Sequence, residues 1–187
     1  MSDSNAKKSF EPIIKVERLE VFKGSDLEDL CDATEKTIDD AGLGFSVGFN
    51  WVETPARERL ENYWKGLLLV PERTVFVGRI DGVIASSIQL IKPPPSNKAQ
   101  SFSATMREHF VAPWARGHGL AKLLLKAVEE ECVALKLKVL KLEVRATQTA
   151  AISLYESLGF KKWGELDKYE FVNGAYIAGH FYYKDLL

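Results

Sequence analysis

Apolar and polar positions change period several times along this chain, and each change predicts an element. From Val16, VERLEVF alternates in the manner of a strand with one buried face. The period then lengthens, with Leu27, Leu30, Cys31, Thr34 and Ile38 recurring at helical spacing until Gly42. Ser25, followed three residues later by Glu28, forms a capping box for that helix. After the glycine- and aromatic-rich stretch GLGFSVGFNWVE, Thr54 as N-cap and Pro55 at the first helical position predict a second helix reaching Leu69. Phe45, Phe49 and Trp51 in that stretch either plug it onto the core or form a lid over substrate.

TVFVGRI and VIASSIQLI flank Asp81-Gly82, a hairpin signal because both central turn positions need positive φ. KPPPSN then breaks regular structure, and a strand is expected from Ser101 to Val111, closed by Pro113. A helix from Gly119 to Leu137, a strand KVLKLEV, a short helix AAISLYESL and two final strands complete the chain, YIAGHFYYKDL being the last. Strand 101–111, the long helix and strand 139–144 read as a βαβ unit, so the two strands are expected parallel with a right-handed crossover. The other strands read as antiparallel, which makes the fold class α/β with a mixed (α+β) sheet. Residues 1–10 are expected to be a disordered tail, and 11–187 one domain.

Length and composition narrow the function classes. A chain of 187 residues with 46% hydrophobic content suits one globular domain, burying roughly 70% of its unfolded surface. Lys and Arg number 25 against 26 Asp and Glu, a net charge of −1, so no global positive field gathers nucleic acid or anionic membrane. No run approaches the ~18 apolar residues of a membrane span or the length of a signal peptide, and a cytoplasmic protein is expected. Cys31 and Cys132 lack metal-ligand spacing and fall on apolar helical stripes, as buried thiols do.

Candidate chemistry begins at Arg116-Gly117-His118-Gly119-Leu120-Ala121, between a strand and a helix. Bare backbone at the two glycines lets N–H groups converge on an anion, helped by the helix dipole. The segment lacks the GxxxxGK[ST] of a Walker loop. Lys122 stands where a dinucleotide fingerprint needs a small residue. Taken alone, the loop reads equally as a phosphate cradle and as a tight strand-to-helix turn.

A second motif, QTAAISLYESLGF from Gln148 to Phe160, lies on the far side of the βαβ unit. Together with Val111-Ala112-Pro113 and the Arg116, Gly119, Ala121 spacing, it resembles the GNAT superfamily of acetyl-CoA-dependent N-acetyltransferases, over nearly the whole chain from Val16. The resemblance implies a mostly antiparallel sheet with a splay between its two parallel strands. It also implies a diphosphate of acetyl-CoA on the amides of Arg116, Gly117, His118, Gly119, Leu120 and Ala121. The pantetheine arm would pair with main chain near His109, Phe110 and Val111, with a backbone N–H around Val111 facing the acetyl carbonyl. Gln148 stands where the family commonly has Asn, keeping the amide but adding a methylene. No metal is implied.

Tyr155, matching the family's tyrosine, is the expected general acid for the departing thiolate; the alternative is a packed aromatic with its hydroxyl tied to the backbone. Phe102, Ala104, Met106 and Phe110 share a face by alternation, and Glu108 interrupts that row. A carboxylate desolvated there has a raised pKa and suits a general base. A structural ion pair with Arg or Lys, or exposure through a bulge, is the alternative. His109 is expected on the opposite face from Glu108 unless a bulge intervenes, and His180 is a candidate for lining an acceptor pocket. The expected reaction is acetyl transfer to a primary amine of a small molecule by direct attack. A protein N-terminus or lysine as acceptor, or a non-catalytic acyl-CoA-binding module, remain as alternatives, and a homodimer is left open.

Overall fold

The computed structural model describes residues 11–41 and 56–186. In chain order these form β1 (Ile14–Leu19), α1 (Asp26–Ala41), α2 (Arg57–Leu67), β2 (Arg73–Ile80), β3 (Val83–Ile91) and β4 (Ser103–Val111). There follow α3 (Leu120–Ala134), β5 (Val139–Arg145), α4 (Thr149–Ser157), β6 (Lys161–Val172) and β7 (Ala175–Asp185). The strands make one sheet in the order β1-β2-β3-β4-β5-β7-β6. Only β4 and β5 pair in parallel, joined through α3; the other neighbours are antiparallel. The expected mixed sheet is therefore observed. No helix among the described residues is long and apolar enough to cross a membrane.

Helices cover both faces of the sheet. On one side Leu124, Leu125, Val128 and Cys132 of α3 pack with Met106, Leu140 and Leu142. On the other, Leu30, Cys31 and Ile38 of α1 and Leu60 and Trp64 of α2 pack with Val75, Val77 and Ile84. Each fully buried Leu, Ile or Val contributes about 1.5–3 kcal/mol from apolar burial. Thr34 and Thr37 sit inside α1 because their hydroxyls donate to the carbonyls of Leu30 and Ala33, at 2.6 and 2.7 Å. The hairpin turn has the predicted chemistry, with φ of 51° at Asp81 and 90° at Gly82.

Local details depart from expectation for identifiable reasons. The N-cap of α2 is Ala56, while Thr54, Pro55, Phe45, Phe49, Trp51 and the N-terminal ten residues lie outside the described part. The long helix stops at Ala134, three residues short of Leu137. Lys136 adopts φ 57°, the N–H of Leu137 reaches the carbonyl of Cys132 at 2.9 Å, and that of Lys136 reaches Val133 at 3.0 Å. This is a Schellman ending, and its left-handed position carries lysine where glycine is usual. The stop signal was therefore missing from the sequence.

The largest departure is in β4. Ser87 pairs with Phe110 and Gln89 with Arg107, so Glu108 and His109 together oppose Ile88. Glu108 has φ 50°. This bulge reverses the alternation: Met106 lies in the core under α3, and Phe110 in the core under α1 and α2. The expected shared face of Phe102, Ala104, Met106 and Phe110 is thus split, and Phe102, outside the strand, is 49% exposed.

Gly78 lies where Leu120, the first residue of α3, presses on the sheet. A Cβ there would stand 2.3 Å from Ser86 Oγ and 2.7 Å from Leu120 Cδ2. We expect Gly78→Ala to destabilise the fold by about 1–3 kcal/mol, read as a lower urea midpoint at unchanged slope.

Candidate active site

Parallel pairing of β4 with β5 runs from Ser103–Val139 to Met106–Leu142 and goes no further, although β4 continues to Val111 and β5 to Arg145. The two strands part immediately before the bulge. A cleft of about 720 Å³ opens at this parting, lined by His109, Phe110 and Val111 of β4, by the loop and first turn of α3, and by Gln148 to Ala151 at the start of α4. Arg116, Gly117, Gly119, Leu120 and Ala121 all reach its wall. Of the expected cofactor residues only His118 does not; its Nδ1 donates to the carbonyls of Ala115 and Arg116, at 3.2 and 3.1 Å.

Gly117 and Gly119 have φ of 83° and 78°, and a Cβ at either would meet nothing within 4 Å. Conformation and not crowding therefore requires glycine here. Gly119 is the N-cap of α3, which directs the unpaired N–H groups of the first turn at the cleft. Arg116 is held by Asp40 at the end of α1, 2.8 Å away. The loop is thereby tied to the helix on the other face of the sheet.

A second, smaller cavity of about 110 Å³ lies beyond the bulge. Glu108, His109 and Tyr155 line it, together with Glu143 and Arg145 of β5 and Tyr169 and Glu170 of β6. His109, Gln148 and Ala151 line both cavities, so the two meet at that point. Glu108 and His109 were expected on opposite faces unless a bulge intervened; the bulge is present, and both line the smaller cavity.

Titratable groups in this cavity are pulled apart by their surroundings. Burial pushes the Glu108 carboxyl up to about 7. The nearby cations are engaged elsewhere, Arg107 by Glu143 at 3.0 Å, Arg73 by the Gln89 side-chain oxygen at 2.6 Å and Arg145 by Glu170, and Glu108 has no ion pair among the described residues. Burial also lowers His109 to about 4, leaving the imidazole neutral, and raises the Tyr155 phenol above its ordinary range. Among the described residues the Tyr155 hydroxyl has no backbone partner; it lies 3.1 Å from His109 Nδ1.

Several lining groups were not legible beforehand. Leu166 pairs with Gly179 and Glu170 with Ile177, so three residues of β6 face one of β7. That bulge folds the Tyr169 ring over Gly179, where a Cβ would stand 2.3 Å from the ring, and its hydroxyl donates to Glu143 at 2.9 Å. Gly179 inside a strand was the available signal of such close approach. His180 does not line either cavity; its Nε2 faces Glu165 at 3.6 Å.

Comparison with known proteins agrees with this geometry. Residues 37–160 match the family described as Acetyltransferase (GNAT) family. The chain is 55% identical over 135 residues to the uncharacterized N-acetyltransferase in the hisH-hisA intergenic region of Azospirillum brasilense, covering 72% of this chain and 77% of that protein. An N-acetyltransferase structure from Staphylococcus aureus Mu50 superposes with a TM-score of 0.73 at 18% identity, covering 94% of this chain and 99% of that one. A putative acetyltransferase from Salmonella typhimurium, solved with its cofactor acetyl-CoA, gives 0.70 at 15% identity, covering 93% and 94%.

A carboxyl raised by folding binds a proton in the native state that the unfolded chain releases above about 4.3. Its contribution to stability is therefore lost as pH rises toward 7. We expect Glu108→Gln to unfold at a higher temperature than wild type at pH 8, with the gap closing toward pH 4.

Proposed function

Because this chain belongs to the acetyltransferase (GNAT) family and is an acetyl-CoA-dependent N-acetyltransferase, we propose that its acceptor is the primary amine of a small molecule, attacked directly on the thioester. The observation that carries this reading is the 110 Å³ cavity next to Glu108 and Tyr155. Tyr169 folded on Gly179 forms part of its wall, a shape suited to a small molecule. A protein segment as acceptor calls for an open groove at the same place.

The residues present fit acetyl-CoA as the second substrate. The positive-φ glycines and the α3 N-terminus suit its diphosphate. The 720 Å³ cleft leads from there to the strand parting, where main chain of His109, Phe110 and Val111 suits the amide-bearing arm. Gln148, at the N-cap position of α4 and lining both cavities, takes the place expected of a family asparagine.

In this reading Glu108, poised near neutrality, takes one proton from the acceptor ammonium. The amine nitrogen then bonds to the acetyl carbon, and the Val111 N–H holds the developing oxyanion, a contact typically contributing about 10² to 10³ in rate. As the carbon–sulfur bond breaks, Tyr155 gives its phenol proton to the sulfur. The second proton lost from nitrogen returns the phenol to neutral, so each turnover releases amide, free thiol and one proton.

A panel of small amines and peptides incubated with acetyl-CoA, with liberated thiol as readout, tests the acceptor class. Small amines are expected to turn over, and turnover confined to peptides would overturn the proposal. For an active amine, kcat/KM is expected to rise with pH through about 7 in the wild type. In Glu108→Gln it should fall by about 10² to 10⁴ and lose that inflection. Gly179→Ala, which displaces Tyr169, is expected to raise the amine KM about tenfold while leaving the acetyl-CoA KM unchanged. An unchanged amine KM would remove Tyr169 from the acceptor wall.

A further inference from the structure

The His109 ring lies between two groups that fix its protonation pattern. Nε2 stands 3.1 Å from the carbonyl oxygen of Ala121, in the first turn of α3. A carbonyl only accepts, so Nε2 carries the hydrogen and donates it. The ring is neutral, and Nδ1 therefore presents a lone pair to the Tyr155 hydroxyl at 3.1 Å. The phenol donates to the imidazole, and its proton direction is set by an acceptor that has no hydrogen of its own to offer.

From this geometry we infer that His109 is a positioning residue for the leaving-group proton, acting through Tyr155. The inference rests on the acid role of Tyr155 proposed above and extends it. Tyr155 is 4% exposed, so the orientation of its hydroxyl is set mainly by the protein groups beside it. A buried hydroxyl without a partner is costly and turns freely among wrong orientations. Imidazole Nδ1 holds the hydroxyl without removing its proton. A thiolate, being charged, is the stronger acceptor, so the phenol proton transfers only when the carbon–sulfur bond gives way. Ala121 fixes the other edge of the ring, and that residue belongs to the same turn that lines the larger cleft.

The bulge is what makes this contact. In a regular strand His109 would face α1, because Met106 faces α3 and the side chains alternate; the extra residue turns it toward α3 and α4.

The test is a double-mutant cycle on the intact enzyme with an active amine. His109→Phe keeps the ring volume and removes both nitrogens; His109→Asn keeps an amide oxygen able to accept from Tyr155 while losing Ala121. His109→Phe is expected to lower kcat by about tenfold or more, with CoA affinity by calorimetry and the acetyl-CoA KM within about twofold of wild type. His109→Asn is expected to recover most of kcat. In the Tyr155→Phe background His109→Phe is expected to add no further loss.

A purely structural ring would weaken CoA binding, and its loss would multiply onto that of Tyr155→Phe; either result overturns the inference. Failure of His109→Asn to recover activity, while it binds CoA normally, overturns it as well, and this arm decides if the Phe variant does not fold. If Tyr155→Phe itself turns over like wild type, the acid role falls and takes this pairing with it. If Tyr155→Phe is slow but the losses multiply, the acid role stands and only the present inference fails.

Discussion

One extra residue in β4 is the constraint on which the site depends. Glu108 and His109 share the single partner Ile88, with Glu108 in left-handed backbone. Three consequences follow from that insertion. The alternation of β4 reverses, so Met106 and Phe110 serve opposite cores. The strand bends, as bulged strands do, where its parallel pairing to β5 has just ended. Glu108 and His109 both turn to the same cavity. A backbone held at positive φ by a non-glycine residue is strained by about 1–3 kcal/mol, and the residue opposite the bulge, Ile88, is fully buried.

The parting of the two strands joins two kinds of space. One is a wide cleft walled by loop amides and small residues, suited to a long polar ligand with an anionic end. The other is a small cavity whose charged residues pair with one another and leave Glu108 aside. That pairing is why burial governs Glu108, raising it to about 7, where an ion pair would have lowered it. The same burial leaves His109 neutral and Tyr155 protonated. Groups with widely separated pKa values thus stand within one cavity, the condition under which acid and base roles divide.

Much of the fold was legible because it rests on local signals. The Asp81-Gly82 turn, the apolar stripe of α1 and the βαβ unit are properties of short segments, and the structure carries all three. Where the signal was missing the reading failed: Lys136 ends α3 from a left-handed position that a sequence rarely assigns to lysine. The candidate site was legible in the same uneven way. The glycines before α3 stand out because a loop preceding a helix advertises itself. Tyr169, Glu170 and Arg145 did not, because a bulge in β6 and its pairing across Gly179 bring them in from distant parts of the chain.

By itself the sequence determined the elements, their order, the pairing sense of the strands and the glycine loop at the head of α3. These follow from periodicity and from backbone preferences that act over a few residues. Only the tertiary structure decided which way Glu108 and His109 point, that Tyr155 meets an imidazole, and that Glu108 has no ion pair among the described residues. Those outcomes depend on one residue of register against β3 and on the choices made by Arg107 and Arg145 among competing carboxylates. Both are settled by packing between segments far apart in the chain, where no local pattern records them.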